Sequence, residues 1–359
     1  MDQKIGRYPF FDLLRIACGT QQALSRQLSE TEWENVFRMS KKQSLTGVMF
    51  AAVQSLDSEY CPSKDKCREW IRNAEPLRKK NRLASERSAQ LYSMLSENGF
   101  SPCILKGQSL APYYGELAEY RAVGDIDVWV DKPISAIDGY VSSLGVKHHT
   151  TIAHVECDIF PDIPVEIHPQ PAIIRCPWLD KRLQNWFKSF DVSQFEMYNG
   201  YRVAPLEFNL VYMLVHIQHH LLFEGVGLRQ LMDYFFVLKA ADRETVRNGF
   251  DRMVSCLQLK PLARGIMWIM REVFGLDSGH LLAEPDEKMG RFLLDEIMIG
   301  GNFGMYDTRN RMVKSRNPVA RAWGGVVRNA RFFSMASSVV ICNPFWRMWH
   351  FVWKRRFYN

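Results

Sequence analysis

Along most of this chain apolar residues recur at three- and four-residue spacing, and one short stretch breaks the rhythm. In "FDLLRIACG" and in "LSRQLSETEWENVFRMSKKQSLTGVMFAAVQSL" the spacing predicts helices. Ser29, Glu30, Thr31 and Glu32 stand before Trp33, Val36 and Phe37 and supply capping groups for one of them. After a polar break at Pro62, the same period predicts a long helix from roughly Asp65 to Ser96. Asn98-Gly99 is a plausible stop.

Beyond Gly99 the texture changes. "SPCILKG" is a short apolar run ending in Gly and predicts a buried strand. "QSLAPYYGEL" suits a short helix, "GDIDVWV" a strand, and "KPISAIDGYVSSLGV" a helix with Pro133 near its start. "HHTTIAHVECDIF" alternates with period two, "PDIP" is a turn, and "VEIHP" is a second short strand. From about residue 176 the helical period returns, with two strong helices around Gly225 and Gly227. The expected fold class is therefore α+β. A small mixed-sheet core over residues 86–175 lies between an N-terminal helical region (1–85) and a C-terminal helical region (176–359) with a basic aromatic tail.

The unexpected residues are Asp125 and Asp127, set two apart in an apolar strand that disfavours Asp. Strand side chains alternate faces, so both point the same way while Ile126, Val128 and Val130 face a core. Trp129 and Asp131 are expected to continue the acid face outward. Two neighbouring carboxylates do not easily stay ionised without a cation. A hard divalent ion, Mg²⁺ or Mn²⁺, suits oxygen ligands and substrate phosphates together. In "VEIHP", Glu166 and His168 share a face opposite Val165 and Ile167. If the two strands are neighbours, Glu166 becomes a third acid, as a two-metal phosphoryl-transfer centre requires. His168 is then placed to hydrogen-bond a substrate.

Upstream, the "CIL" run leads into Lys106, Gly107, Gln108 and Ser109. Gly allows close backbone approach, Ser109 offers a hydroxyl and Lys106 a charge for phosphate. Arg121, four residues before Asp125, is placed either to reach a phosphate tail or to pair with Glu119 or Asp125. "LKG", the Tyr-rich spacer, Arg121, "GDIDVWV" and "VEIHP" together resemble the poorly characterised nucleotidyltransferase family of the DNA-polymerase-β superfamily. The resemblance spans about residues 85 to 240, including "HIQHHLLFEGVGLRQLMDY". It implies a polymerase-β-like core, Asp125 and Asp127 as the metal-binding pair and Glu166 as the third acid. It also implies that Lys106, Gly107 and Ser109 form the phosphate turn. The implied reaction moves a nucleotidyl group from a nucleoside triphosphate such as ATP to a hydroxyl on a small molecule, a protein or an RNA.

Other features widen the alternatives. His216, His219 and His220 share one helix face and suit either packing or the lining of a nucleotide cleft. Arg229 and Asp233 read as a helix ion pair. The net charge of +7 and the tail "FWRMWHFVWKRRFYN" suit an anionic membrane surface or nucleic acid, although packing on the body is the commoner role of such residues. The competing functions are thus a nucleotide-binding module without chemistry, or a membrane- or RNA-associated interaction protein. Eight scattered cysteines, no membrane-length apolar run and no secretory h-region lead us to expect a cytoplasmic protein.

Overall fold

The computed structural model describes residues 8–310, 313 and 316–358. The first seven positions of the N-terminal segment and Asn359 of the tail lie outside the described residues. The chain starts with α1 (Pro9–Cys18), α2 (Glu30–Lys42), α3 (Thr46–Gln54) and α4 (Lys64–Glu97). The central part contains β1 (Pro102–Leu105), α5 (Ala111–Tyr114), β2 (Ile126–Val130), α6 (Ile134–Ser143), β3 (His148–Thr150), β4 (Val155–Cys157) and β5 (Val165–His168). After α7 (Pro177–Phe187) comes a hairpin of β6 (Met197–Tyr198) and β7 (Tyr201–Arg202). Helices α8 (Leu206–Phe223), α9 (Leu228–Ala240), α10 (Arg243–Cys256), α11 (Lys260–Glu272), α12 (Glu287–Gly300), α13 (Pro318–Ala330) and α14 (Phe333–Tyr358) complete the chain.

Local chemistry explains several of these limits. The Ser29 backbone N–H donates to Glu32 Oε2 (2.9 Å), and Ser29 Oγ accepts from Glu32 N, so α2 begins with a reciprocal capping box. Helix α4 stops at Asn98, and Gly99 follows with φ of +79°. The boundary expected near residue 85 falls inside α4. Its Ala84, Leu91 and Leu95 pack on the sheet, so one helix belongs to both regions. The outer helical regions also meet each other: Arg15 donates to the carbonyls of Glu272 and Val273, and Gln43 bonds both Leu228 N and Ile297 O.

The sheet order is β1-β2-β5-β4-β3, with β2 and β5 parallel and the other neighbours antiparallel. On one face Ile104, Ile126, Val128, Val165 and Ile167 pack with α4 and with Ile137 and Val141 of α6. The other face carries Cys103, Leu105 and Trp129, with the acids beyond them. This corrects one expectation. Trp129 does not continue outward; it is buried, stacked on Phe208 of α8 (centroids 6.0 Å, 18°) and close to Phe187 and Phe195. Each such ring contact contributes about 0.5–1.5 kcal/mol beyond area burial. The acid face is therefore roofed by the C-terminal helices.

The turn that leads into β2 is held tightly from the N-terminal side. A Cβ on Gly47 of α3 would lie 2.1 Å from the Tyr120 carbonyl oxygen. Gly47→Ala is expected to push α3 off that turn and destabilise the protein by about 1–3 kcal/mol. Urea denaturation reads this as a lower midpoint, and an unshifted midpoint would show that the turn yields freely.

Candidate active site

Parallel pairing sets the register that gathers the acids. Asp127 lies opposite Glu166, and Trp129 opposite His168. Asp125 sits just before β2 at the exposed mouth, whereas Asp127 is buried and Glu166 half-buried. One carboxylate oxygen from each of Asp125, Asp127 and Glu166 lies within 4.8 Å of the others. The neighbouring strand β4 ends the row: His154 stands one step beyond its register, and its ring is 5.3 Å from that of His168.

Lys106 and His168 both meet Asp127. Lys106 Nζ donates to its Oδ1 at 2.8 Å, and His168 Nε2 lies 2.9 Å from the same oxygen. His168 Nε2 is also 3.3 Å from Glu166 Oε2. Burial works against the Asp127 charge, yet Lys106 and His168 hold its pKa far below the usual carboxylate range. Burial likewise opposes protonation of His168, but its bonds to Asp127 and Glu166 raise its pKa above 6.5. Lys106 follows the same balance, with Asp127 outweighing burial. Asp125 shows the opposite shift: repulsion from Asp127, then burial, raises its pKa. That residual negative charge, on three hard oxygen donors in one cleft wall, fits a divalent cation such as Mg²⁺ or Mn²⁺. A second group, His154, Glu166 and His168, also has donor atoms within 4.8 Å of one another and shares Glu166 with the first.

Lys106 reaches Asp127 through an unusual backbone. Its φ is +49° and ψ −147°, a left-handed-side conformation that costs a non-Gly residue of order 1–3 kcal/mol. Gly107 follows with φ of +20°, and a Cβ there would lie 3.7 Å from Arg121 Nη1. Ser109 differs from its expected role. It is buried, its hydroxyl and N–H both go to the Lys106 carbonyl (2.8 and 2.7 Å), and it does not line the cleft. Its side chain closes the turn instead of meeting a ligand.

Arg121 also has a partner that was not anticipated. Its Nε and Nη2 donate to the two Asp233 oxygens at 2.6 and 2.7 Å, and Tyr114 Oη donates to the same carboxylate at 2.6 Å. Burial disfavours the guanidinium charge, but Asp233 outweighs it and raises the pKa. Glu119 pairs with Arg78 and Arg82 instead. The expected Arg229–Asp233 pair is replaced: Arg229 Nη1 donates to the Ala122 carbonyl (2.9 Å), and its buried Nε has no hydrogen-bond partner among the described residues. Burial lowers the pKa of Arg229.

These groups open on one cleft of about 690 Å³. Lys106, Gly107, Arg121, Asp125, Asp127, Glu166 and His168 line it, and so do His216, His219 and His220 of α8. Burial holds His216 well below its ordinary pKa and takes His219 down to about 3, so both are neutral at pH 7. The cleft is also lined by Arg175, Phe303, and Trp346, His350 and Lys354 of α14, which no spacing in the sequence ties to the acids. Arg175 lies between the Phe223 and Trp346 rings, 3.8 and 4.5 Å from their centroids, and burial lowers its pKa to about 10. Only the fold brings them near the acids; no motif spacing links them.

Neither a curated protein nor a solved structure matches the chain. One family model does, described as an uncharacterised nucleotidyltransferase, over residues 29–275. The match extends well beyond the 85–240 span expected from the motifs and takes in α2 through α11. With the sheet, the acid row and the covering helices inside that match, the chain belongs to this nucleotidyltransferase family.

Proposed function

We propose that the cleft transfers a nucleotidyl group from a nucleoside triphosphate, ATP among the candidates, to a hydroxyl acceptor, and does so in the reducing cytoplasm. The observation that carries this reading is the convergence of Asp125, Asp127 and Glu166 on one cleft wall in a chain of this family. In the reaction the acceptor oxygen attacks the α-phosphorus, the bond to the β-phosphate oxygen breaks, and pyrophosphate leaves. The acceptor proton passes to the carboxylate row, where mutual repulsion keeps an oxygen basic. When bound by these carboxylates, Mg²⁺ or Mn²⁺ supplies charge neutralisation for the triphosphate and acidifies the acceptor hydroxyl. Lys106 and Arg229 line the same cleft as the acids and are suited to the departing phosphates. Eight free cysteines accord with a reducing compartment.

A second reading has one specific observation in its favour. Asp127 already has two cationic partners, an arrangement that also suits a nucleotide-binding module that performs no chemistry. The two readings separate by pyrophosphate release with each common nucleoside triphosphate, Mg²⁺ or Mn²⁺ and a panel of hydroxyl acceptors. Asp127→Asn is expected to lower turnover at least about 100-fold. Turnover equal to that of the wild type would remove the catalytic reading. Magnesium-independent triphosphate binding without turnover would establish the second.

Arg121 is expected to matter for the fold. Arg121→Met leaves Asp233 buried without its partner and is expected to cost about 3–5 kcal/mol in urea denaturation. A stable variant that no longer binds triphosphate would instead make Arg121 a phosphate ligand.

The pH dependence follows from the two shifts at Asp127. Asp127, lowered from 3.8, contributes stability that is present above about pH 4 and lost as pH falls further. His168, raised from 6.5, contributes stability that is present below pH 6.5 and lost as pH rises through its higher folded value. The contact is therefore strongest between these limits. A divalent ion competes with the His168 proton for Asp127 and Glu166, so Mn²⁺ affinity is expected to rise with pH across neutrality. Calorimetry in buffers of different ionisation enthalpy should register proton release on Mn²⁺ binding. Buffer-independent heats would contradict the competition.

A further inference from the structure

Residues 308–359 contain eleven of the chain's 46 Lys and Arg and none of its 39 Asp and Glu. The preceding residues thus hold 35 basic against 39 acidic groups, a net −4, while this segment alone is +11. Exposed apolar side chains gather in the same place. On α13, Val319, Trp323, Val326 and Val327 recur at i, i+4, i+7 and i+8 and all are exposed, Val319 at 77% and Trp323 at 60%. The other side of α13 is fixed to the body, where Arg328 Nη2 donates to the Leu221 carbonyl of α8 (3.2 Å).

Helix α14 has two faces of different use. Trp346, His350 and Lys354 line the cleft, and the Trp346, His350, Trp353 and Phe357 rings form a stacked ladder with centroids 4.9–5.8 Å apart. Away from that ladder, Ile341, Phe345, Met348, Trp349 and Val352 are exposed, with Phe345 and Met348 each at 69%. Arg355 and Arg356 end this outer side and are exposed as well. So many large apolar side chains exposed on two adjoining helices are costly in water and mark a contact surface.

We propose that the outer faces of α13 and α14 dock on the headgroup region of an anionic lipid bilayer. The aromatic and aliphatic side chains enter the interface, and Arg355 and Arg356 meet lipid phosphates. Charge complementarity selects this occupant. A second copy of the same face would bring the exposed Arg355 and Arg356 against their own counterparts, with no acidic residue in the segment to answer them. Nucleic acid would use the cations and stack on Trp323 or Trp349, but offers nothing apolar for Val319, Val326, Val327, Ile341 and Val352. The contact is peripheral, since among the described residues no helix is long and apolar enough to cross a membrane. Because the inner face of α14 lines the cleft, docking sets one wall of that cleft at the lipid surface.

The test is flotation of the full-length protein with vesicles of phosphatidylcholine alone or with roughly one-third phosphatidylglycerol. Binding is expected to the anionic vesicles only, and to weaken in high salt. The paired change Trp323→Glu/Trp349→Glu is expected to lower binding at least about tenfold. Arg355→Ala/Arg356→Ala is expected to lower it about fivefold per charge removed. The unfolding temperature of each variant shows whether its fold is kept. Hydrogen exchange of the wild type reads the same contact without substitution: anionic vesicles should protect α13 and the outer half of α14. Absence of both flotation and protection, or flotation unchanged in the Trp pair, overturns the proposal. So does wild-type protein that ignores vesicles but binds single-stranded RNA, or dimerises, through these residues.

Discussion

The carboxylate Oδ1 of Asp127 stands between the Lys106 ammonium and the His168 imidazole, on a sheet face roofed by helices. Without them this buried charge would be far too costly to keep. Much of the architecture serves that balance. The left-handed backbone at Lys106 aims its ammonium at β2. The parallel pairing of β2 with β5 sets His168 and Glu166 beside it. Helices α7 and α8 cover the strand and lower the local dielectric, which strengthens each of these contacts while penalising any charge left unpaired. The balance is incomplete at Asp125, and the strain of like charges there is what a divalent ion would relieve.

A second constraint fixes how the sheet meets its roof. Arg121, Asp233 and Tyr114 form a closed, buried set that ties the turn before β2 to α9. Gly47 lets α3 approach the same turn from the other side. The acid-bearing strand is therefore clamped between N- and C-terminal helices, and the cleft is made of both. Its far wall is different in kind: Phe303 and the α14 residues lie beyond the part of the chain that matches the family. The acid row and these α14 residues thus come from separable stretches of sequence.

How much was legible in advance depended on whether the governing contact was local. Helix α4, the β2 and β5 strands and the shared face of Asp125 and Asp127 follow from periodicities of 3.6 and 2. The adjacency of Glu166 needed only one assumption about strand order, and the parallel pairing supplies it. Nearness in sequence to the acids suggests a ligand role for Arg121, and nearness to the Lys106-Gly107 turn suggests one for Ser109, but their partners are Asp233, over a hundred residues away, and the Lys106 carbonyl. Trp129 was placed outward because a strand pattern cannot reveal that helices from another segment cover its polar face. His154 and Arg175 had no motif to mark them, since only the hairpin and the α14 contact bring them to the cleft. The β6–β7 hairpin, by contrast, had a readable signal in Asn199-Gly200, both at positive φ.

Strands β2 and β5 touch in space, yet α6, β3 and β4 come between them in the chain. The segment from Asp131 to Pro164 therefore makes a detour that starts and ends beside the acids. Lengthening it at the loop between β3 and β4, where Thr151, Ile152 and Ala153 line the cleft, would leave Asp127 and Glu166 facing each other, because the ladder between their strands does not depend on how long the excursion is. Such a layout lets the rim of the cleft diversify through insertions while its floor keeps one geometry.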